Sequence, residues 1–121
     1  MSEVLEEQAL ATLLEMVGDD PAFVDELVDA YLADVPVQEA ALRDAAARAS
    51  AVDLVRPAHT LKGASLNLGG TQAAEIAREI EQRARTGSVV GAEELIASLE
   101  EANSALEVAL RDARERRWRP A

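Results

Sequence analysis

Leu54-Val55-Arg56-Pro57-Ala58-His59-Thr60-Leu61-Lys62-Gly63-Ala64-Ser65-Leu66-Asn67-Leu68-Gly69 returns to an apolar or small residue every three or four positions, at Leu54, Ala58, Leu61, Ser65 and Leu68. That period belongs to a helix with one buried face, and no stretch of the chain alternates with the period of two expected of a strand. At about 100° per residue, His59 lies about 160° from Leu61 around this helix, so it points to solvent. Lys62 and Gly63 stand three and four positions on, beside it, and Val52, Val55 and Leu66 flank the same face. The imidazole is rimmed by aliphatic side chains, an arrangement more typical of a docking surface than of an idle one.

The other elements follow outward from this helix. Ser50-Ala51-Val52-Asp53 has the Ser-x-x-acid spacing of a helix start. Pro57 falls early, which predicts either a distorted first turn or a regular helix beginning near Arg56. Gly69-Gly70 stops the helix and Thr71 is placed to cap the next one. A fourth helix reads inward through Ala73, Ile76, Ala77, Ile80 and Ala84 and ends at Thr86-Gly87. Gly91 precedes a fifth, with Glu93 and Glu94 in its first turn and a heptad-like stripe of Leu95, Leu99, Ala102, Leu106, Ala109 and Ala113. Upstream, Leu5, Ala9, Leu13 and Met16 mark a first helix that stops at Gly18. Asp20-Pro21 is an N-cap with proline at the first helical position. The second helix is read with Phe23, Leu27, Ala30 and Tyr31 inward, kinked or split by Pro36, and resumed through Val37, Ala41, Ala45 and Ala49. Short connections favour antiparallel neighbours. The expected fold is all-α, an antiparallel four-helix bundle with an additional N-terminal helix packed across one end. One domain is expected over 1–121, with the bundle core at about 21–115 and 116–121 as a disordered end.

Composition narrows the function. Of 121 residues, 12 are Lys or Arg and 23 are Asp or Glu, a net charge of −11. Acids accumulate from Glu3 to Glu39 before the first basic residue, Arg43, so nucleic acid is not an expected partner. The exception is Arg111-Asp112-Ala113-Arg114-Glu115-Arg116-Arg117-Trp118-Arg119, read as cations favourably placed at a helix C-terminus. No apolar run approaches the roughly 20 residues of a membrane span. Met1-Ser2-Glu3-Val4 has no signal-peptide character, so a cytoplasmic location without membrane attachment is expected. The absence of cysteine removes thiol and iron–sulfur chemistry. A di-iron bundle needs Glu-x-x-His pairs, but Arg56 stands three residues before the single histidine.

What remains is the chemistry of His59. A histidine with an ordinary pKa near 6.5 is mostly neutral at pH 7, which leaves one ring nitrogen with a free lone pair. That nitrogen can attack an activated phosphorus and later release it. Lys62 offers a mobile point charge to phosphoryl oxygens. Gly63 costs about 1 kcal/mol of helix propensity against Ala, which is explained by clearance for an approaching protein or by a close helix crossing. Glu81 reads first as a surface carboxylate, and second as a group that orients the other ring nitrogen.

His59-Thr60-Leu61-Lys62-Gly63-Ala64-Ser65 with Gly69 closely resembles the signature of histidine-containing phosphotransfer (HPt) domains, and the resemblance covers most of the chain. It implies a phosphorelay intermediate. His59 would be phosphorylated by the aspartyl phosphate of one receiver domain and would pass the group to another. Lys62 matches the family lysine near the phosphoryl group, and Gly63 the small residue beside the histidine. Glu81 falls where some members carry a glutamine, a departure from that pattern, as are Pro57 and the arginine-rich end. The implied partners are response-regulator receiver domains and a hybrid histidine kinase, met by a monomer with Val52, Val55 and Leu66 in the docking face. The implied protein is not a kinase and has no cofactor of its own, magnesium being supplied by the receiver. The competing expectation is an interaction module of the same fold that docks receiver or kinase domains without phosphotransfer.

Overall fold

The computed structural model describes residues 4–119, and all its regular elements are helices. They are α1 (Glu7–Met16), α2 (Pro21–Ala47), α3 (Ala51–Asn67), α4 (Thr71–Arg85) and α5 (Ala92–Glu115). In the four-helix bundle α2 packs on α3 and α5, and α4 packs on the same two helices. The additional helix α1 lies where α2 begins and α3 and α5 finish. Glu6 N–H donates to the Gly69 carbonyl at 2.6 Å, and Arg116 grips the Glu7 carboxylate at 3.0 Å. None of the helices among the described residues is long and apolar enough to cross a membrane.

Local chemistry sets the helix ends. The Asp20 carboxylate accepts from Ala22 N–H at 3.0 Å with Pro21 in the first turn, and Ser50 Oγ accepts from Asp53 N–H at 3.3 Å. Asp53 does not complete a reciprocal box, because its carboxylate is taken by Arg48 at 2.9 Å. At the end of α3, Gly70 N–H reaches the Ser65 carbonyl at 2.8 Å, and Gly69 takes φ +82°. A Cβ on Gly69 would lie 2.5 Å from the Glu6 carbonyl oxygen, so this glycine is also the seat on which the chain before α1 rests. Thr71, expected to cap α4, is instead its first helical residue, and Gly70 holds the cap position.

Both internal prolines are carried inside continuous helices, so of the expected alternatives Pro36 does not split α2 and α3 begins before Arg56. Each removes one backbone hydrogen bond. The bond is dispensable because the faces around it stay packed: Leu54, Ala58 and Leu61 are buried about Pro57, and Val28, Tyr31, Val35 and Leu42 about Pro36. The buried face of α3 is Leu54, Ala58, Leu61 and Ser65, followed by Leu68, as read from sequence. Helix α2 buries Tyr31 and Ala45 as expected, but most of the other residues read as inward lie one position off the buried seam. Its core stripe is Val24, Val28, Tyr31, Val35, Leu42 and Ala45, a strict alternation of four and three when part-buried Gln38 is included. Phe23, Leu27, Ala30, Val37 and Ala41, which fall one position before that seam, are exposed, as are Met16 and Ala49.

The buried side chains of Ser65 and Asn103 are hydrogen-bonded. Ser65 Oγ donates to the Leu61 carbonyl at 2.7 Å, and Asn103 Nδ2 donates to Glu39 at 2.9 Å. Tyr31 Oη lies 3.5 Å from both Ser65 Oγ and Asn103 Oδ1 and ties α2 to α3 and α5. The C-terminal end departs from expectation. Residues 116–119 are not a loose end, since Trp118 is 1% exposed and belongs to the core. Its indole N–H donates to the Asp25 carboxylate at 2.9 Å, and the Arg114 guanidinium lies 5.6 Å from its ring centroid. Residues 120 and 121 of the expected disordered end lie outside the described residues.

Candidate functional site

The middle of α3 and the last two turns of α4 place four charged or ionisable side chains together. His59 stands on the outer face of α3, its side chain 61% exposed. Glu81, on α4, is 4% exposed, so it is not the surface carboxylate its sequence context favoured. The helical period puts it on the same side as buried Ala77 and Ala84, turned towards α3. Its Oε2 lies 3.0 Å from His59 Nδ1, and its Oε1 pairs with Lys62 Nζ at 2.8 Å. Arg85, one turn further along α4, also donates to Oε2, from Nε at 3.1 Å and Nη2 at 2.7 Å.

Electrostatics fixes the proton positions. Burial pushes the Glu81 carboxyl up, but Lys62, Arg85 and His59 together outweigh burial and hold it at about 2. An ionised carboxylate only accepts hydrogen bonds, so Nδ1 of His59 is the donor and carries the ring proton. In the neutral ring the lone pair is then on Nε2, on the part of the ring away from Glu81. The buried Glu81 carboxylate of α4 thus gives the exposed histidine of α3 a defined tautomer.

The same cluster has a measurable signature in acid. A carboxylate whose folded pKa is depressed stabilises the fold fully above its unfolded value of 4.5, and the contribution is lost as pH falls towards about 2. Between about pH 5 and about pH 2, the wild type is expected to lose about 3 kcal/mol more stability than Glu81→Gln. Denaturant unfolding of both proteins at the two pH values checks this, and parallel losses would show that Glu81 is not held by its cations.

Gly63 lies one turn beyond His59, and a Cβ built on it would meet nothing within 4 Å. No helix crosses closely there, so the packing reading of this glycine is excluded. Val52 and Leu66 are exposed and Val55 is half-buried, on the face that the heptad spacing from His59 assigns them. Leu66 continues into a cleft of about 740 Å3 bounded by Leu13 and Met16 of α1 and Leu27 of α2. Met16, Leu27 and Ala30, which sequence periodicity had turned inward, line this cleft. Among the described residues, no group of three or more His, Asp or Glu side chains is arranged to hold a metal ion.

Arg85 is the one member of the cluster that sequence reasoning passed over. Its signal was the i, i+4 spacing from Glu81, which is indistinguishable in sequence from a surface ion pair such as Glu79–Arg83 on the same helix.

Comparison with known proteins bears on the family and the fold. The family model described as the Hpt domain matches residues 26–113. The crystal structure of histidine-containing phosphotransfer protein B (HptB) from Pseudomonas aeruginosa PAO1 is similar to this chain, with a TM-score of 0.82 and 29% sequence identity, covering 93% of this chain and 95% of that one. No curated protein sequence matches.

Proposed function

The chain belongs to the Hpt domain family, and from that premise we propose that it is a histidine phosphotransfer protein of a phosphorelay, with His59 as its phosphoacceptor and the whole chain acting as one Hpt unit. The observation that carries this reading is the bond between His59 Nδ1 and the buried Glu81 carboxylate, which leaves Nε2 as the nucleophile on an exposed ring.

In the forward step the Nε2 lone pair attacks the phosphorus of a receiver's aspartyl phosphate. The Nε2–P bond forms, the bond between phosphorus and the bridging aspartyl oxygen breaks, and the receiver's carboxylate leaves with the electron pair. The ring becomes a phosphorylated imidazolium whose Nδ1–H still points at Glu81. In the second step a carboxylate oxygen of another receiver attacks the phosphorus, and the neutral ring departs with its Nδ1–H intact. No proton has to move in either direction. Lys62 supplies positive charge to the phosphoryl oxygens, and the protein itself is a carrier and not a kinase. It brings no cofactor, and the magnesium that neutralises the aspartyl site comes with the receiver. A hybrid histidine kinase is the upstream source of phosphate.

The receiver docks on the apolar surface formed by Val52, Val55 and Leu66 and continued by the cleft beyond Leu66. Gly63 keeps the centre of that surface clear. Gly63→Ala is expected to raise folding stability by about 0.5–1 kcal/mol, because it fills open space and improves helix propensity. Gly63→Gln is expected to weaken receiver binding without loss of helicity. Urea unfolding and a receiver titration check the two arms, and tight binding by Gly63→Gln would remove the clearance role.

The test of the function is transfer itself. Incubated with a phosphorylated receiver, the protein should gain phosphate that is labile in acid and stable in alkali. The second reading, a docking module without turnover, predicts receiver binding with no such label. The ordered cluster around His59 favours the first.

A further inference from the structure

The four-part cluster contains one charge more than the chemistry of His59 and Lys62 requires. Lys62 is bound to Glu81 Oε1 at 2.8 Å, and its side chain is only 25% exposed, so in the empty protein it is drawn inward to the carboxylate. A phosphoryl group on Nε2 needs that ammonium on the outer side of the ring. If Lys62 turned to it with no other cation present, the carboxylate of Glu81, 4% exposed, would keep a buried charge with only the ring N–H against it. Arg85 removes that obstacle. Its two N–H groups are on Oε2, the oxygen that Lys62 does not use.

We infer that Arg85 is a positioning residue for phosphotransfer: it holds Glu81 in place so that Lys62 can exchange the carboxylate for the incoming phosphoryl group. The inference rests on the reading of Lys62 as the cation that meets the phosphoryl oxygens. Arg85 does not touch the reacting atoms; it acts through Glu81 and Lys62. Its side chain is 58% exposed, so its removal leaves no cavity. The bland alternative is a cation favoured by the last turn of α4. Arg83 provides the control, since it lies in the same turn and pairs with Glu79 at 2.9 Å, outside the cluster.

The experiment measures single-turnover transfer from a phosphorylated receiver at saturating concentration, together with receiver affinity. Arg85→Ala and Arg85→Gln are expected to slow transfer roughly ten-fold, the scale of one charge-assisted bond, with affinity unchanged. Arg85→Lys should recover most of the rate, and Arg83→Ala should behave as wild type. Because Arg85 acts by freeing Lys62, Lys62→Ala combined with Arg85→Ala should be no slower than Lys62→Ala alone.

Wild-type rates in both Arg85 variants would overturn the inference. So would equal slowing by Arg83→Ala, or multiplicative loss in the double variant. A slow Lys62→Ala with a normal Arg85→Ala sinks the Arg85 role alone, whereas a normal Lys62→Ala sinks the reading of Lys62 with it. A wild-type protein that takes no phosphate at all removes the proposed function and this role together.

Discussion

His59→Gln is expected to acquire no acid-labile phosphate from a phosphorylated receiver under conditions in which the wild type is labelled. Glutamine keeps a polar side chain of similar reach and can still donate to Glu81, so the fold and its ion cluster are preserved. What it lacks is a nucleophilic lone pair, since its amide nitrogen is delocalised into the carbonyl. Stability should stay within about 0.5 kcal/mol of wild type, because the side chain is on the surface. Receiver affinity should also be nearly unchanged, because the aliphatic docking face is untouched. Loss of label with retained binding isolates the chemical role from the docking role. Equal labelling of the two proteins would refute phosphorylation of His59, and binding without label in both would leave the docking module as the function.

The largest effect on stability is expected at the other end of the molecule. Trp118→Ala should cost about 3–5 kcal/mol, the range for deleting a large buried aromatic. For a chain of this length that lowers the melting temperature by roughly 10–20 °C. Circular dichroism is the suitable probe, since the substitution removes the only tryptophan. Trp118→Phe separates the contributions: it keeps most of the apolar bulk and loses the bond to Asp25, at a cost of about 1 kcal/mol for that bond. An unchanged melting temperature for Trp118→Ala would show that residues after α5 do not pack on the bundle.

The helix bearing His59 was the most legible element. Its cap, its glycine stop and its buried side are all local properties, and the outward direction of His59 follows from the angle to Leu61. The Hpt character was legible for the same reason, because the residues that carry it lie within one helix and its stop. The environment of His59 was only half legible. Glu81 needs α4 to be packed on α3 before it meets the ring, and no spacing within α4 reveals that contact. Arg85 depends in turn on Glu81. Helix α2 was misread because two apolar stripes run side by side along it. Phe23 and Leu27 are the bulkier members of one, but the valines of the other keep the heptad alternation that fits between α3 and α5. Trp118 was masked by the arginines around it, which suggested a solvated end although one ring was large enough to anchor it.

Because Glu81 stays ionised, the hydrogen it receives from His59 Nδ1 serves the bare ring and the loaded ring alike. In the proposed transfer, loading and unloading are then mirror images, and the cluster favours neither direction. Under that proposal traffic would run whichever way the occupancy of its neighbours pushes, so a surplus of phosphorylated partners downstream would drain backwards through the same imidazole.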